Sequence, residues 1–127
     1  MTMGESGDKS TDFTETPFTV SVSRLQGAVV VRLVGSCTME HADRLTDQLV
    51  EIASQPKPLV IVDMAGLDFI ESTGLGGLVS GYLRARKNEG EIRLVSPPPF
   101  IHHILQLTRL TQLFQVFDNL QKAIEQP

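Results

Sequence analysis

The sequence predicts an α/β fold: a single domain with a mixed, mostly parallel sheet of about five strands and about four helices. Three observations carry that prediction. β-Branched runs such as Ala28 to Val34 and Leu59 to Met64 read as deeply buried strands. Segments with the i, i+3, i+4 apolar spacing of helices alternate with the later strands, which implies parallel βαβ units. The length of 127 residues leaves room for one core, not two.

Taken in order, Met1 to Pro17 is polar and acidic, with Glu5, Asp8, Asp12 and Glu15 against Lys9. It reads as a disordered tail, since it has too few apolar residues to offset its ordering entropy. The domain is expected over residues 18–126. Phe18 to Ser23 alternates apolar and polar residues, the pattern of a half-exposed strand. Leu25-Gln26-Gly27 then links it to the Ala28–Val34 strand as a hairpin. Gly35-Ser36-Cys37-Thr38 is expected to break that strand, with Thr38 capping a helix to about Ser54. Its apolar face is Met39, Ala42, Leu45, Leu49, Ile52 and Ala53. Prolines 56 and 58 stop it.

Strand Leu59 to Met64 leads into a loop, from which a second helix departs with Leu75, Leu78, Val79, Tyr82 and Leu83 on one face. Arg84, Arg86 and Lys87 suit its C-terminus. Glu91 to Val95 is the next strand, and Ser96-Pro97-Pro98-Pro99 opens a short third helix facing inward through Ile101, Ile104 and Leu105. Leu113 to Phe117 reads as an edge strand. Asp118-Asn119-Leu120-Gln121 resembles a capping box led by Asp118, starting a last helix.

Composition narrows the function. A net charge of −4 leaves no basic stripe for nucleic acid. No apolar run approaches the ~20 residues of a membrane span, and no signal-peptide core is present, so a cytoplasmic location is expected. The lone Cys37 cannot form an internal disulfide and is expected to fill core space. His102 and His103 point about 100° apart on a helix, so they make a poor metal pair, and with His41 they read as surface residues. No metal or cofactor is expected. Gly74-Leu75-Gly76-Gly77 lacks the Lys-Ser/Thr of a P-loop, and Val79 stands where a dinucleotide fingerprint needs glycine.

The informative stretch is Leu67-Asp68-Phe69-Ile70-Glu71-Ser72-Thr73-Gly74-Leu75-Gly76-Gly77. It puts two hydroxyls where a strand becomes a helix. Ser72 can cap that helix, and the unpaired first-turn amides and the dipole also favour a phosphate there. Asp63, at the strand end, could accept from a loop amide but reads rather as a turn-former. No Gly-x-Ser-x-Gly elbow or local base makes Ser72 a nucleophile, so no catalytic residues are assigned.

Asp68-Phe69-Ile70-Glu71-Ser72-Thr73-Gly74-Leu75-Gly76 resembles the signature of the STAS domain family, specifically its bacterial anti-sigma-factor antagonists. The resemblance spans Phe18 to about Gln126, and its one departure is Glu71 where the family usually has aspartate. It implies a partner-switching regulator with no enzymatic activity of its own. Unphosphorylated, such a protein binds an anti-sigma-factor serine kinase of the histidine-kinase-like ATPase type; phosphorylated, it is released, and a phosphatase resets it. The matching positions make Ser72 the phosphoacceptor, with Thr73 as the alternative, and Asp68, Glu71, Ser72, Thr73, Gly74, Leu75 and Gly76 the partner-binding residues. Leu75 and Gly76 are expected to face outward. Glu71, as a surface acid, is expected to tolerate shortening to Asp within about 0.5 kcal/mol. The alternative reading is a STAS docking subunit of a lipid or anion transport system.

Overall fold

The computed structural model describes residues 17–127. The expected tail lies outside the described residues except for Pro17. Strand β1 (Thr19–Leu25) is followed by β2 (Ala28–Cys37), helix α1 (Met39–Ala53), β3 (Leu59–Ile70) and α2 (Ser72–Lys87). Then come β4 (Glu91–Val95), α3 (Pro99–Leu107), a 3₁₀ turn (Leu110–Gln112), β5 (Gln115–Phe117) and α4 (Leu120–Glu125). The five strands form one sheet in the order β1-β2-β3-β4-β5. Only β1–β2 is antiparallel; the other pairs are parallel. The expected mixed α/β sheet with four helices is present.

Alternation along the strands divides the core in two. Val29, Val31 and Leu33 of β2, Val60, Val62 and Met64 of β3, and Ile92 and Leu94 of β4 pack with α1, α2 and α3. The opposite face contributes Ala28, Val30, Ile61 and Val95, covered by Ala123, Leu120 and Ile124 of α4. The β1–β2 hairpin turns on two residues with positive φ, Gln26 (52°) and Gly27 (84°), whose twist matches the flanking strands.

Four boundaries differ from the expectation. Strand β2 continues through Gly35, whose φ of 98° keeps the backbone beside Pro17, where a side chain would strike the Pro17 carbonyl. Strand β3 runs on to Ile70, so the supposed loop after Met64 is mostly strand. The β2–β3 pairing survives because it shifts register twice, between Arg32 and Val34 and between Gly35 and Ser36, and closes at Cys37 and Ile70. Helix α4 is capped by Asn119 rather than Asp118: the Asn119 side chain accepts from the Lys122 amide at 2.8 Å. The final strand, by contrast, is shorter than expected, with Phe114 buried ahead of it and Leu113 left exposed.

One charged side chain fastens the second core. Arg93 on β4 is 3% exposed, and its guanidinium donates to the Ala123 and Gln126 carbonyls, each at 2.7 Å, and to Glu91. Removing it would strand two backbone acceptors, which costs about 1–3 kcal/mol for each buried group left unsatisfied. Arg93→Ala is therefore expected to lower the unfolding free energy by roughly 2–4 kcal/mol, measured by urea denaturation. A change under about 0.5 kcal/mol would show that α4 is held by its apolar contacts alone.

Candidate functional site

The site is built where β3, the middle strand, meets α2. Beyond Asp63 the strand leaves β4, whose pairing ends at Asp63 and Val95, and continues with β2 alone. Asp63 is not a turn-former. It is 8% exposed within the strand, accepts from the Ala65 amide at 3.0 Å and pairs with Arg32 Nε at 3.0 Å. These bonds serve the first register shift. The strand then delivers Asp68 and Phe69 to the surface and Ile70 to the core.

Glu71, not Ser72, occupies the N-cap position of α2, in extended conformation and without a side-chain cap bond to its own helix. Its carbonyl accepts from the Gly74 and Leu75 amides at 2.9 and 3.1 Å, and its own amide donates to the Cys37 carbonyl. Its side chain reaches the neighbouring helix: Oε2 accepts from the Met39 amide, the first of α1, at 2.9 Å. Thr38 holds the cap position of α1 but makes no side-chain cap bond. The glutamate thus serves in its place, and a side chain one methylene shorter would fall back from Met39. This contact, which spans 32 residues of sequence, is what the expectation of a change within about 0.5 kcal/mol for Asp at this position has to be weighed against.

Ser72 and Thr73 are the first two helical residues, and both are exposed. Among the described residues, neither of their amides has an acceptor. Gly74 and Leu75, expected in the partner surface, are buried. Leu75 turns inward onto the core rather than outward, because the helix lies close to its neighbours along Gly74, Gly77 and Gly81. A Cβ there would come within 2.9 Å of Cys37 Sγ, 2.5 Å of Thr46 Oγ1 and 2.9 Å of Ile92 Cδ1, respectively. That small-residue stripe also turns Leu83 to solvent, 60% exposed. Gly76 differs. It is exposed, and a Cβ on it would meet nothing within 4 Å. One turn on from Ser72, it keeps the surface bare for no reason internal to the fold.

The fragment Asp68, Glu71, Ser72, Thr73 and Gly76 is therefore brought to one exposed edge. Met39, 66% exposed at the start of α1, joins it, although its helical position alone placed it on the apolar face. No local pattern could have signalled that neighbour. A surface hollow of about 510 Å³ along β5, lined by His102, Phe114 and Phe117, includes no residue of the serine turn. His103 is exposed, but His102 and His41 are half-buried, the latter with its ring 5.3 Å from that of Phe18. Among the described residues, no three His, Cys, Asp or Glu side chains gather to hold a metal, and no helix is long and apolar enough to cross a membrane.

The STAS domain model matches residues 19–123. This chain belongs to the STAS domain family. An anti-sigma F factor antagonist of Paenibacillus polymyxa is 24% identical over 106 residues, covering 83% of this STAS chain and 91% of the relative. The crystal structure of an anti-sigma factor antagonist from Mycobacterium paratuberculosis superimposes with a TM-score of 0.76 at 25% identity, covering 85% of this chain and 92% of that one. A sulfate transporter family protein from Wolinella succinogenes shares the fold at 23% identity and a TM-score of 0.68, over 79% of this chain and 84% of that one. The STAS fold is thus common to proteins of different duty, and the residues of the serine turn must discriminate.

Two measurements check this geometry. Gly76→Ala removes a helical glycine at no steric cost and should stabilise the domain by about 0.5–1 kcal/mol. Gly74→Ala should instead destabilise it by roughly 1–3 kcal/mol, through the clash with Ile70 and Cys37. Urea curves with the same sign for both would show the stripe wrongly drawn.

Cys37 gives an independent check on the floor of the site. Burial pushes its thiol up from 9.0 to about 11; Arg44 pulls against this, and Glu71 adds to it. Being raised in the folded state, this pKa makes stability fall as pH climbs from 9.0 towards 11, and has no effect below 9.0. At pH 8 the folded chain should react with an aromatic disulfide reagent at least about a hundredfold more slowly than the urea-unfolded chain. Equal rates would place the thiol at the surface.

Proposed function

We propose that this STAS domain is an anti-sigma-factor antagonist working as a phosphorylation-controlled partner switch in the cytoplasm. Its working unit is residues 18–126. Without phosphate it binds an anti-sigma-factor serine kinase of the histidine-kinase-like ATPase type; phosphorylated on Ser72 it is released, and a phosphatase restores it. It performs no chemistry itself. The kinase supplies the nucleotide.

One observation carries this reading: an exposed Ser72 on the first turn of α2, with the Ser72 and Thr73 amides free of acceptors among the described residues and the bare Gly76 beside them. The hydroxyl is open to a kinase. The helix end tolerates a phosphate, which adds about −1.5 to −2 charges. Asp68, exposed two residues before Ile70, makes this surface acidic already, so an added phosphate is hostile to an acidic or tightly packed partner surface. The names of the two antagonist relatives support the same role. The second reading, docking to a transport system, draws support from the Wolinella fold neighbour and gives the hydroxyl no part.

A phosphate driven against a partner lacking a matched cation costs several kcal/mol, and each ~1.4 kcal/mol is tenfold in affinity. Ser72→Asp is therefore expected to fold normally yet bind the candidate kinase at least about tenfold more weakly. Ser72→Ala should bind persistently and resist release by ATP, while Thr73→Ala remains a substrate. Calorimetry gives the affinities, and mass spectrometry after incubation with kinase and ATP locates the phosphate. Phosphate on Thr73, or full-strength binding by Ser72→Asp, would overturn the assignment to Ser72. Partner binding indifferent to every change at Ser72 would favour the docking reading.

A further inference from the structure

We propose that Glu71 is a phosphate-sensitive latch between the two helices. It holds the first turn of α1 against the start of α2 while Ser72 carries a free hydroxyl, and releases that turn when Ser72 carries a phosphate. The inference rests on reading Ser72 as the phosphoacceptor and adds a second place where the modification acts.

The backbones here are fixed and only the side chain can leave. The β2–β3 ladder closes at Cys37 and Ile70, and the Glu71 amide donates to the Cys37 carbonyl at 3.0 Å. Glu71 Oε2 is the acceptor of the Met39 amide, and the Thr38 hydroxyl makes no cap bond that could replace it. A phosphate on the next residue has two donors ready, the amides of Ser72 and Thr73, which have no acceptor among the described residues. Settled there, it concentrates negative charge beside the half-buried Glu71 carboxylate. On adjacent residues the two charges lie well within a Debye length of about 8 Å, so physiological salt leaves much of their repulsion. The group anchored by a single side-chain bond gives way first. Released, it orphans the first amide of α1, and that turn loosens with the exposed Met39 on it.

Phosphorylation thereby alters the partner surface at two points, the serine itself and the start of α1. It also explains the glutamate. Aspartate at 71 would be one methylene too short to span from β3 to the Met39 amide, so the longer acid is what connects the helices.

The test needs no kinase. Phosphoserine is placed at position 72 of the full chain by stop-codon suppression, and hydrogen exchange of the Met39 amide is followed by NMR. Unmodified wild type and Glu71→Gln, which keeps an acceptor oxygen at the same reach, should protect Met39 equally. Glu71→Asp should exchange it about tenfold faster, the scale of a lost cap. Phosphoserine should accelerate Met39 about tenfold beside Glu71 and leave it unchanged in Glu71→Gln, whose neutral amide is not repelled. Protection of Met39 that survives phosphorylation, or equal acceleration in both backgrounds, overturns the latch. Failure of every candidate kinase to modify Ser72 would sink the partner switch and leave this result standing.

Discussion

The site depends on a fork in the sheet. Up to Asp63, β3 is paired on both sides; past it, β4 is gone and only the ladder to β2 remains. A strand that loses one neighbour gains a free edge, whose backbone groups must be satisfied elsewhere. Here Asp63 takes the Ala65 amide at the fork and is itself held by Arg32, so β2 and β3 travel on together through two register shifts. They end side by side. Helices α1 and α2 consequently begin next to each other, at Met39 and Ser72, and a single glutamate can bridge them.

The α1–α2 contact that follows is one of small residues. Gly74, Gly77 and Gly81 form a stripe at i, i+3 and i+7 that brings α2 down onto Cys37, Thr46 and Leu49. Close approach of this kind leaves little freedom to slide, because each neighbour already sits where a Cβ would be. Gly76 lies off that stripe. The same four-residue cluster therefore contains glycines required by the fold and one required by nothing within it.

Much of this was legible in advance, and the failures have a common cause. The hairpin, the alternation of strands and helices, and Ser72 at a helix start follow from local spacing, which is what a sequence displays. The extension of β2 and β3 was hidden by Gly35 and by Ala65-Gly66, residues that read as breaks because their pairing depends on bulges in the partner strand. Spacing alone put Leu75 on the helix's apolar face, where it is; the expectation that it faces outward came with the partner surface and gave no weight to the glycines that define the buried face. Asn119 beat Asp118 as a cap by one position, a choice decided by backbone geometry. The Glu71–Met39 bond was beyond reach, since nothing in either segment refers to the other. Family resemblance supplied the meaning of the serine; local spacing supplied only its position.

Arg93 has a bearing on how the chain assembles during synthesis. Its guanidinium lies inside β4, yet two of its acceptors are the carbonyls of Ala123 and Gln126. While those residues are still within the ribosome, Arg93 lacks two of its acceptors and the face of β4 that carries it stays open to water. The β1–β2–β3 portion and the helices α1 and α2 have no such debt and can consolidate as they emerge. The second core is thus left for last, and the far side of the sheet stays open, with Val30, Ile61 and Val95 uncovered, until the final turn of helix arrives. A nascent chain stalled before residue 123 would present that apolar face to chaperones.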